Sequence, residues 1–379
     1  MLAVTGIGMV SPLGLDVISS CAAARAGICR IVEIDDLIVN DAEGAEIAPV
    51  SVSRVPLVSA GFFGFARLLQ LGVAGLADLV RATGPLSDSK VGFILVVGGE
   101  TYRSAWLSRA RKDPEMAAGG DLDAFQASIA TSEARIVTQL LPALLRRAGL
   151  AVVEKACKTL CAATAVGFIG ALQQAEEWLD KRVCDRCVIG GLDSLLDPTM
   201  IDVLNRLHIL KTPENPVGLI PGEAACFLLV ENPRAAARGA AVQATLESPA
   251  STLGAAHPRL QDPAAGHDAL AVAISESFAR LSDVGRATGM VVVNLNGDAY
   301  RAAGWGESFV RVLTPMRLGT LPTWLPPLFF GDTGAATGPV SVALLARGWA
   351  RGYASSPNAL VCLMDDLGGR GTFYVRAKA

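Results

Sequence analysis

Apolar runs of strand length that stop at glycine or asparagine alternate along this chain with stretches of helical period, and this alternation restricts the fold more than any other feature. VGFILVVGG at 91–99 and GMVVVN at 289–294 are such runs. A chain that keeps switching in this way favours a mostly parallel sheet with crossover helices over an all-α or all-β plan. Strands are predicted at 2–6, 91–97, 152–156, 186–191, 224–231, 241–247, 289–294, 358–364 and 372–377. Residues 65–81 put Phe65, Leu68, Leu69, Val73, Leu76 and Leu79 on one helical face, and 161–180 do the same with Val166, Ile169, Leu172 and Leu179. Further helices are expected at 134–148, 267–281 and 334–350. The segment 101–131 has no clean period and reads as an excursion or lid. The stretch ENPRAAARGA at 231–240 reads as a joint between two halves, 1–235 and 236–379, each with its own strand–helix–strand series.

The 379 residues are 51% hydrophobic, enough for a large core. Mean hydropathy is high at +0.41, yet the apolar runs fall short of the roughly 18 residues a membrane span needs, so the excess is expected in the core. Lys and Arg number 33 against 36 Asp and Glu, with no long like-charge block, which argues against a nucleic-acid partner. The opening MLAVTGIGMVSPLG lacks a basic segment and a cleavage site and reads as a first strand, with the cytoplasm as the expected compartment. Eight cysteines are too few for a disulfide scaffold, and Cys226 and Cys362 sit inside apolar runs. Cys184 and Cys187 have C-x-x-C spacing, but no second pair or nearby histidine completes a zinc set. No metal or bound cofactor is expected.

CKTLCAATAVGFIGALQQAEEWL at 157–179 places Cys161 on the threshold of a helical pattern. Unpaired backbone N–H groups and the positive end of a helix dipole favour thiolate and can stabilise an oxyanion, although cysteine is also among the most commonly buried residue types. Glu223, in PGEAAC, reads as a buried acid that holds a turn.

Four ordered stretches resemble the β-ketoacyl-ACP synthases, the condensing-enzyme branch of the thiolase superfamily. VTGIGMVSPLG (4–14) is similar to their first strand and turn, and KTLCAAT (158–164) to the turn that carries their nucleophilic cysteine. VIGGLDSLLDP (188–198) resembles the following strand and glycine turn, and GLIPGEAACFLLVEN (218–232) the strand that ends the first half. The resemblance spans nearly the whole chain. It implies a thiolase-like α/β fold, a duplicated αβαβα five-layer sandwich in which each half carries a five-stranded sheet, and it implies a dimer.

The same resemblance exposes a departure. The family brings two further residues to the cysteine, a histidine in an HGT-like turn and a histidine or asparagine in a GHxxGAAG-like or GNTxAAS-like turn. The matching stretches here are VNLNGDAY and FFGDTGAATG, which put Asn296 and Asp332 at those positions. The family's lysine before the second motif has no counterpart in PTWLPPLFFGD. A carboxylate at 332 would repel a developing enolate, and a neutral one would need an apolar site that raises its pKa strongly. Of the three histidines, His208 is the candidate to replace a missing imidazole, weighed against a partly buried loop role; His257 and His267 read as structural or solvent residues.

Three readings follow. The first is a non-elongating partner or adaptor, chain-length-factor-like, forming a homodimer or a heterodimer with a ketosynthase. The second is an acyltransferase using Cys161 on an acyl-CoA or on a phosphopantetheine-bound acyl carrier protein. The third is an atypical active ketosynthase of fatty acid or polyketide synthesis. An acyl carrier protein could dock on the basic pairs Arg146–Arg147 or Lys181–Arg182, although solvated residues are the default.

Overall fold

The computed structural model describes residues 1–40, 47–86, 90–113, 120–152, 154–162, 165–236, 241–260, 269–281, 288–315 and 321–378. The main elements are β1 (Leu2–Val10), α1 (Val17–Arg25), β2 (Ile31–Asn40), β3 (Ile47–Ser53), α2 (Gly64–Thr83) and β4 (Val91–Gly98). They continue with α3 (Thr101–Ala110), α4 (Leu122–Arg135), β5 (Cys157–Ala162), α5 (Gly167–Asp180), β6 (Arg186–Ser194) and α6 (Pro198–Arg206). Then come β7 (Glu223–Glu231), β8 (Ala244–Leu253), α7 (Ala269–Ala279), β9 (Val291–Val293) and α8 (Ala299–Ser308), followed by β10 (Thr323–Trp324), α9 (Thr337–Ala350), β11 (Asn358–Met364) and β12 (Gly369–Ala377).

Ten strands form one sheet in the order β10-β9-β11-β12-β8-β1-β7-β6-β4-β5, and β2 pairs with β3 in a separate hairpin. The two sets of five strands meet edge to edge where β1 pairs antiparallel with β8, Ala3 opposite Thr245. The five strands expected for each half are present, and the two sets are continuous through this pair. Main-chain hydrogen bonds between the halves join them, which side-chain periodicity does not reveal.

The layering is that of the five-layer sandwich. α5 and α9 each pack against strands of both sets, α5 on β4, β6, β8 and β12, and α9 on β6, β7, β11 and β12. They form the central helical layer; α9 is buried on nearly every side, whereas α5 buries one face through Phe168, Ile169, Leu172 and Leu179 and leaves Gln173, Glu177 and Asp180 exposed. α2 covers β1, β6 and β7 from outside with buried Leu68, Leu71, Leu76 and Leu79, and α7 covers β8, β11 and β12. The close approach at the centre needs small residues: a side chain on Gly338 would meet the Phe168 ring 2.6 Å away. Phe168 itself lies edge-on to Phe373 of the other strand set, ring centroids 5.4 Å apart.

Local signals set several boundaries. Asp16 accepts from the Ser19 amide at 2.6 Å and starts α1, Asp197 accepts from Thr199 with Pro198 in the first turn of α6, and Asp298 accepts from Tyr300 at 2.7 Å to start α8. Other expectations are corrected. The predicted strand at 152–156 is displaced to β5, and the helix expected from 161 begins at Gly167. The small apolar run through Cys161 fits either period, and parallel pairing with β4, Val97 opposite Cys161, decides for strand. The supposed lid after 101 contains the helices α3 and α4, which pack on each other. Among the described residues no helix is long and apolar enough to cross a membrane.

Candidate functional site

Parallel strands point their carboxyl ends the same way, and loops leaving those ends are where α/β folds gather polar residues. β4, β5 and β6 run parallel in one set, and β9 and β11 in the other. The loop after β9 carries Asn294, Asn296 and Asp298, the turn after β11 carries Asp365 and Asp366, β4 leads to Glu100 and Tyr102, and β6 ends near Asp193. Asp332 is brought to them by the turn before α9, which bridges to Pro221 through the Asp332 amide on the Ile220 carbonyl, 2.8 Å.

The structure brings Asn296 and Asp332 together. The Asn296 amide Nδ2 donates to Oδ2 of Asp332 at 2.7 Å, and its Oδ1 accepts from the Asp298 amide at 3.2 Å. Asp332, 3% exposed, also accepts from the Gly334 amide at 3.0 Å through Oδ1. The residue that sequence reasoning missed is Arg301. Its Nη1 lies 3.1 Å from Oδ2 of Asp332, and its Nε donates to Oδ1 of Asp366 at 2.8 Å. The guanidinium also reaches the Asn294 carbonyl at 3.3 Å, and the Tyr102 hydroxyl donates to the other oxygen of Asp366 at 2.5 Å. Asn294 braces the assembly by pairing both ways with the main chain of Met364, each contact 2.8 Å.

The electrostatics make this a closed set. Burial works against the charge on Arg301, but the adjacent Asp332 and Asp366 carboxylates raise its pKa well above the ordinary value. Burial likewise opposes ionisation of Asp366, and the Arg301 charge with the Arg301 and Tyr102 hydrogen bonds holds it below the usual carboxylate range. At 332 the carboxyl group faces a guanidinium, with Arg301 Nη1 3.1 Å from its Oδ2. Sequence reasoning had weighed only a repelling or a neutral carboxyl there. A signal for Arg301 was present, because it shares the buried face of α8 with the small residues Gly304 and Ser308.

Cys161 is the penultimate residue of β5, in register with Val97, and α5 starts six residues later. Its side chain lies outside the described part of the structure, as do residues 163 and 164. The expected seat in the first turn of the helix is corrected, since the chain is still in sheet pairing at 161.

His208 is exposed, follows α6 in a left-handed conformation with φ +53°, and uses its carbonyl to accept from Asn215 at 3.0 Å. It ends a helix and, among the described residues, is not a hydrogen-bonded partner of Asn296 or Asp332. His257 is the buried histidine: Nε2 faces Asp298 at 3.2 Å while Nδ1 accepts from the Arg259 amide at 2.9 Å. That contact fixes Asp298 two residues from Asn296, the structural part foreseen for it. His267 lies outside the described residues.

Two further carboxylates flank the site. Asp193 accepts from the Ala335 amide at 2.9 Å and the Ser194 amide at 2.8 Å; burial raises its pKa to about 7, against those amides and with the Asp332 and Glu100 charges adding to it. Glu223 is the expected scaffold acid, holding the Val55 amide, Ser59, Arg67 and Ser194. Arg146, Arg147, Lys181 and Arg182 are exposed, and Lys181 pairs with Glu177 at 2.6 Å. Among the described residues no group of three or more His, Cys, Asp or Glu is arranged to hold a metal.

No protein-family model matches the sequence, and no curated protein does. Solved structures do match along its whole length. The ishigamide ketosynthase/chain length factor aligns over 100% of this chain and 99% of its own with 20% identity and a TM-score of 0.69. A type II polyketide acyl-carrier protein in complex with its ketosynthase aligns over 100% and 99%, with 15% identity and a TM-score of 0.71. The oxazolomycin ketosynthase domain of Streptomyces albus aligns over 100% and 74%, with 15% identity and a TM-score of 0.74. These likenesses establish the architecture: the chain has the thiolase-like fold of the β-ketoacyl synthases.

Proposed function

We propose that this chain is a non-elongating member of the ketosynthase fold, acting as a chain-length-factor-like partner or adaptor subunit. The observation that carries the reading is the buried contact of Asp332 with Arg301 at 3.1 Å and with Asn296 at 2.7 Å. Decarboxylative condensation needs donors that polarise the malonyl thioester carbonyl and a group that moves a proton. The residues standing at the two histidine positions spend their polar atoms on each other and on Arg301. Asn296 cannot transfer a proton, and the Asp332 carboxylate is turned to a cation rather than to a carbonyl. The solved neighbour that pairs a ketosynthase with a chain length factor supports the subunit reading, with a homodimer or a heterodimer as the assembly. The neighbour bound to an acyl-carrier protein supports carrier-linked acyl groups as the chemistry nearby.

The second reading, an acyltransferase using Cys161, is favoured by the KTLCAAT stretch alone. Incubating the purified chain with malonyl and acyl thioesters of CoA and of a carrier protein separates them. Neither carbon dioxide release nor an acyl adduct in the intact mass is expected. An adduct that disappears in Cys161→Ala moves the acyltransferase reading to first place, and Cys161-dependent carbon dioxide release overturns the proposal outright.

A further inference from the structure

At the far end of α9 from Asp332 lies a cleft that takes no part in the reading above. Fourteen residues separate Thr337 from Arg351, about 20 Å at 1.5 Å rise per residue, so this end is remote from the Asn296–Asp332 pair. There α1 packs along α9, and two adjoining cavities open beside them. One of about 430 Å³ is walled by Arg25, Arg347, Arg351, Ile18 and Cys21. The other, about 350 Å³, is walled by Trp324, Leu325, Phe329 and Leu344. Arg25 and Tyr353 line both, with the Arg25 guanidinium 4.6 Å from the Tyr353 ring centre, so the charged and the apolar compartments share one wall.

The charged compartment has no anion of its own. Among the described residues none of the three arginines has a carboxylate ion-pair partner. The two other titratable groups in its wall stay neutral: burial pushes the Cys21 thiol up to about 12 and, with Cys21 nearby, raises the Tyr353 hydroxyl above its ordinary value. Three guanidinium groups around one cavity repel one another unless an anion joins them, and their forked donors match carboxylate and phosphate oxygens. The neighbouring apolar volume falls in the range of small-molecule sites, about 300–1,000 Å³.

We propose that this cleft binds an amphipathic anion, its carboxylate or phosphate head held by Arg25, Arg347 and Arg351 and its apolar chain lying against Trp324, Phe329 and Leu344. Trp324 supplies a fluorescence readout, and calorimetry a second one. Decanoate and decyl phosphate should both bind the purified chain, with the tighter of the two identifying the head group. Decanol and inorganic phosphate, each carrying half of the ligand, should bind at least about tenfold more weakly, and Arg347→Gln combined with Arg351→Gln should weaken both anions by at least about the same factor. Arg351→Gln alone, at an exposed position, serves if the double variant does not match the parent in urea denaturation. The proposal is overturned if decanol binds as tightly as decanoate or if the arginine variants keep the parent affinity. Binding to phosphatidylglycerol vesicles without binding of the monomeric anions would overturn it in favour of a membrane contact.

Discussion

Arg301 and Asp332 form an ion pair of 3.1 Å between side chains that are 1% and 3% exposed, and Asp366 holds the other edge of the same guanidinium. Burying a charge is tolerated only when partners repay its lost hydration, so each member depends on the others.

Arg301→Met should therefore destabilise the protein by about 3–5 kcal/mol, because it leaves Asp332 and Asp366 buried without the guanidinium they share. Urea denaturation would measure it. Combining Arg301→Met with Asp332→Asn should recover part of the loss, whereas simple additivity of the two changes would show that the contact carries no coupling.

Asp193 should make stability fall with rising pH. Its folded pKa of about 7 lies above the ordinary carboxylate value of 3.8, so the native state holds a proton that the unfolded chain has released. Below about 4 both states are protonated and no penalty exists; between about 4 and 7 the penalty grows, reaching a few kcal/mol above 7. Asp193→Asn imitates the neutral carboxyl. It should match the parent near pH 4 and exceed its stability at pH 8, and equal urea midpoints at pH 8 would show that Asp193 ionises freely in the native state.

Cys161 should behave as a nearly ordinary thiol. Strand pairing continues through residue 162 and α5 starts only at Gly167, so residue 161 is not one of the helix's first amides, and among the described residues no histidine is a hydrogen-bonded partner of Asn296 or Asp332. Alkylation by iodoacetamide in a Cys29→Ser background, followed by peptide mass spectrometry, should give an apparent pKa near or above 8. A value below about 6.5 would mark an activated nucleophile.

Among the described residues the ten-stranded sheet ends at β5, which pairs on one side only, with β4. An unpaired strand edge is a template for another chain, and a two-fold pairing there is the simplest way to cover it. Light scattering at micromolar concentration should show a dimer; a monomer throughout the range would count against the subunit reading.

What the sequence by itself determined was whatever depends on near neighbours. The hydrophobic periods of α2, α7 and α9, the apolar runs of β4, β6 and β11, and the aspartates that start α1, α6 and α8 are all properties of a few adjacent residues. The four motifs carried the order of the first half, and the stretches VNLNGDAY and FFGDTGAATG put Asn296 and Asp332 where the resemblance implied imidazoles. Tertiary structure alone decided the rest. Whether the run through Cys161 was strand or helix depended on β4 lying beside it, since small apolar residues suit both periods. The edge-to-edge union of β1 with β8 depended on main-chain groups that have no side-chain signature. Arg301 acquired its meaning only when the fold carried Asp332 and Asp366, 31 and 65 residues further along the chain, to the two edges of its guanidinium, because an ion pair is chosen by distance in space and periodicity records only distance along the chain.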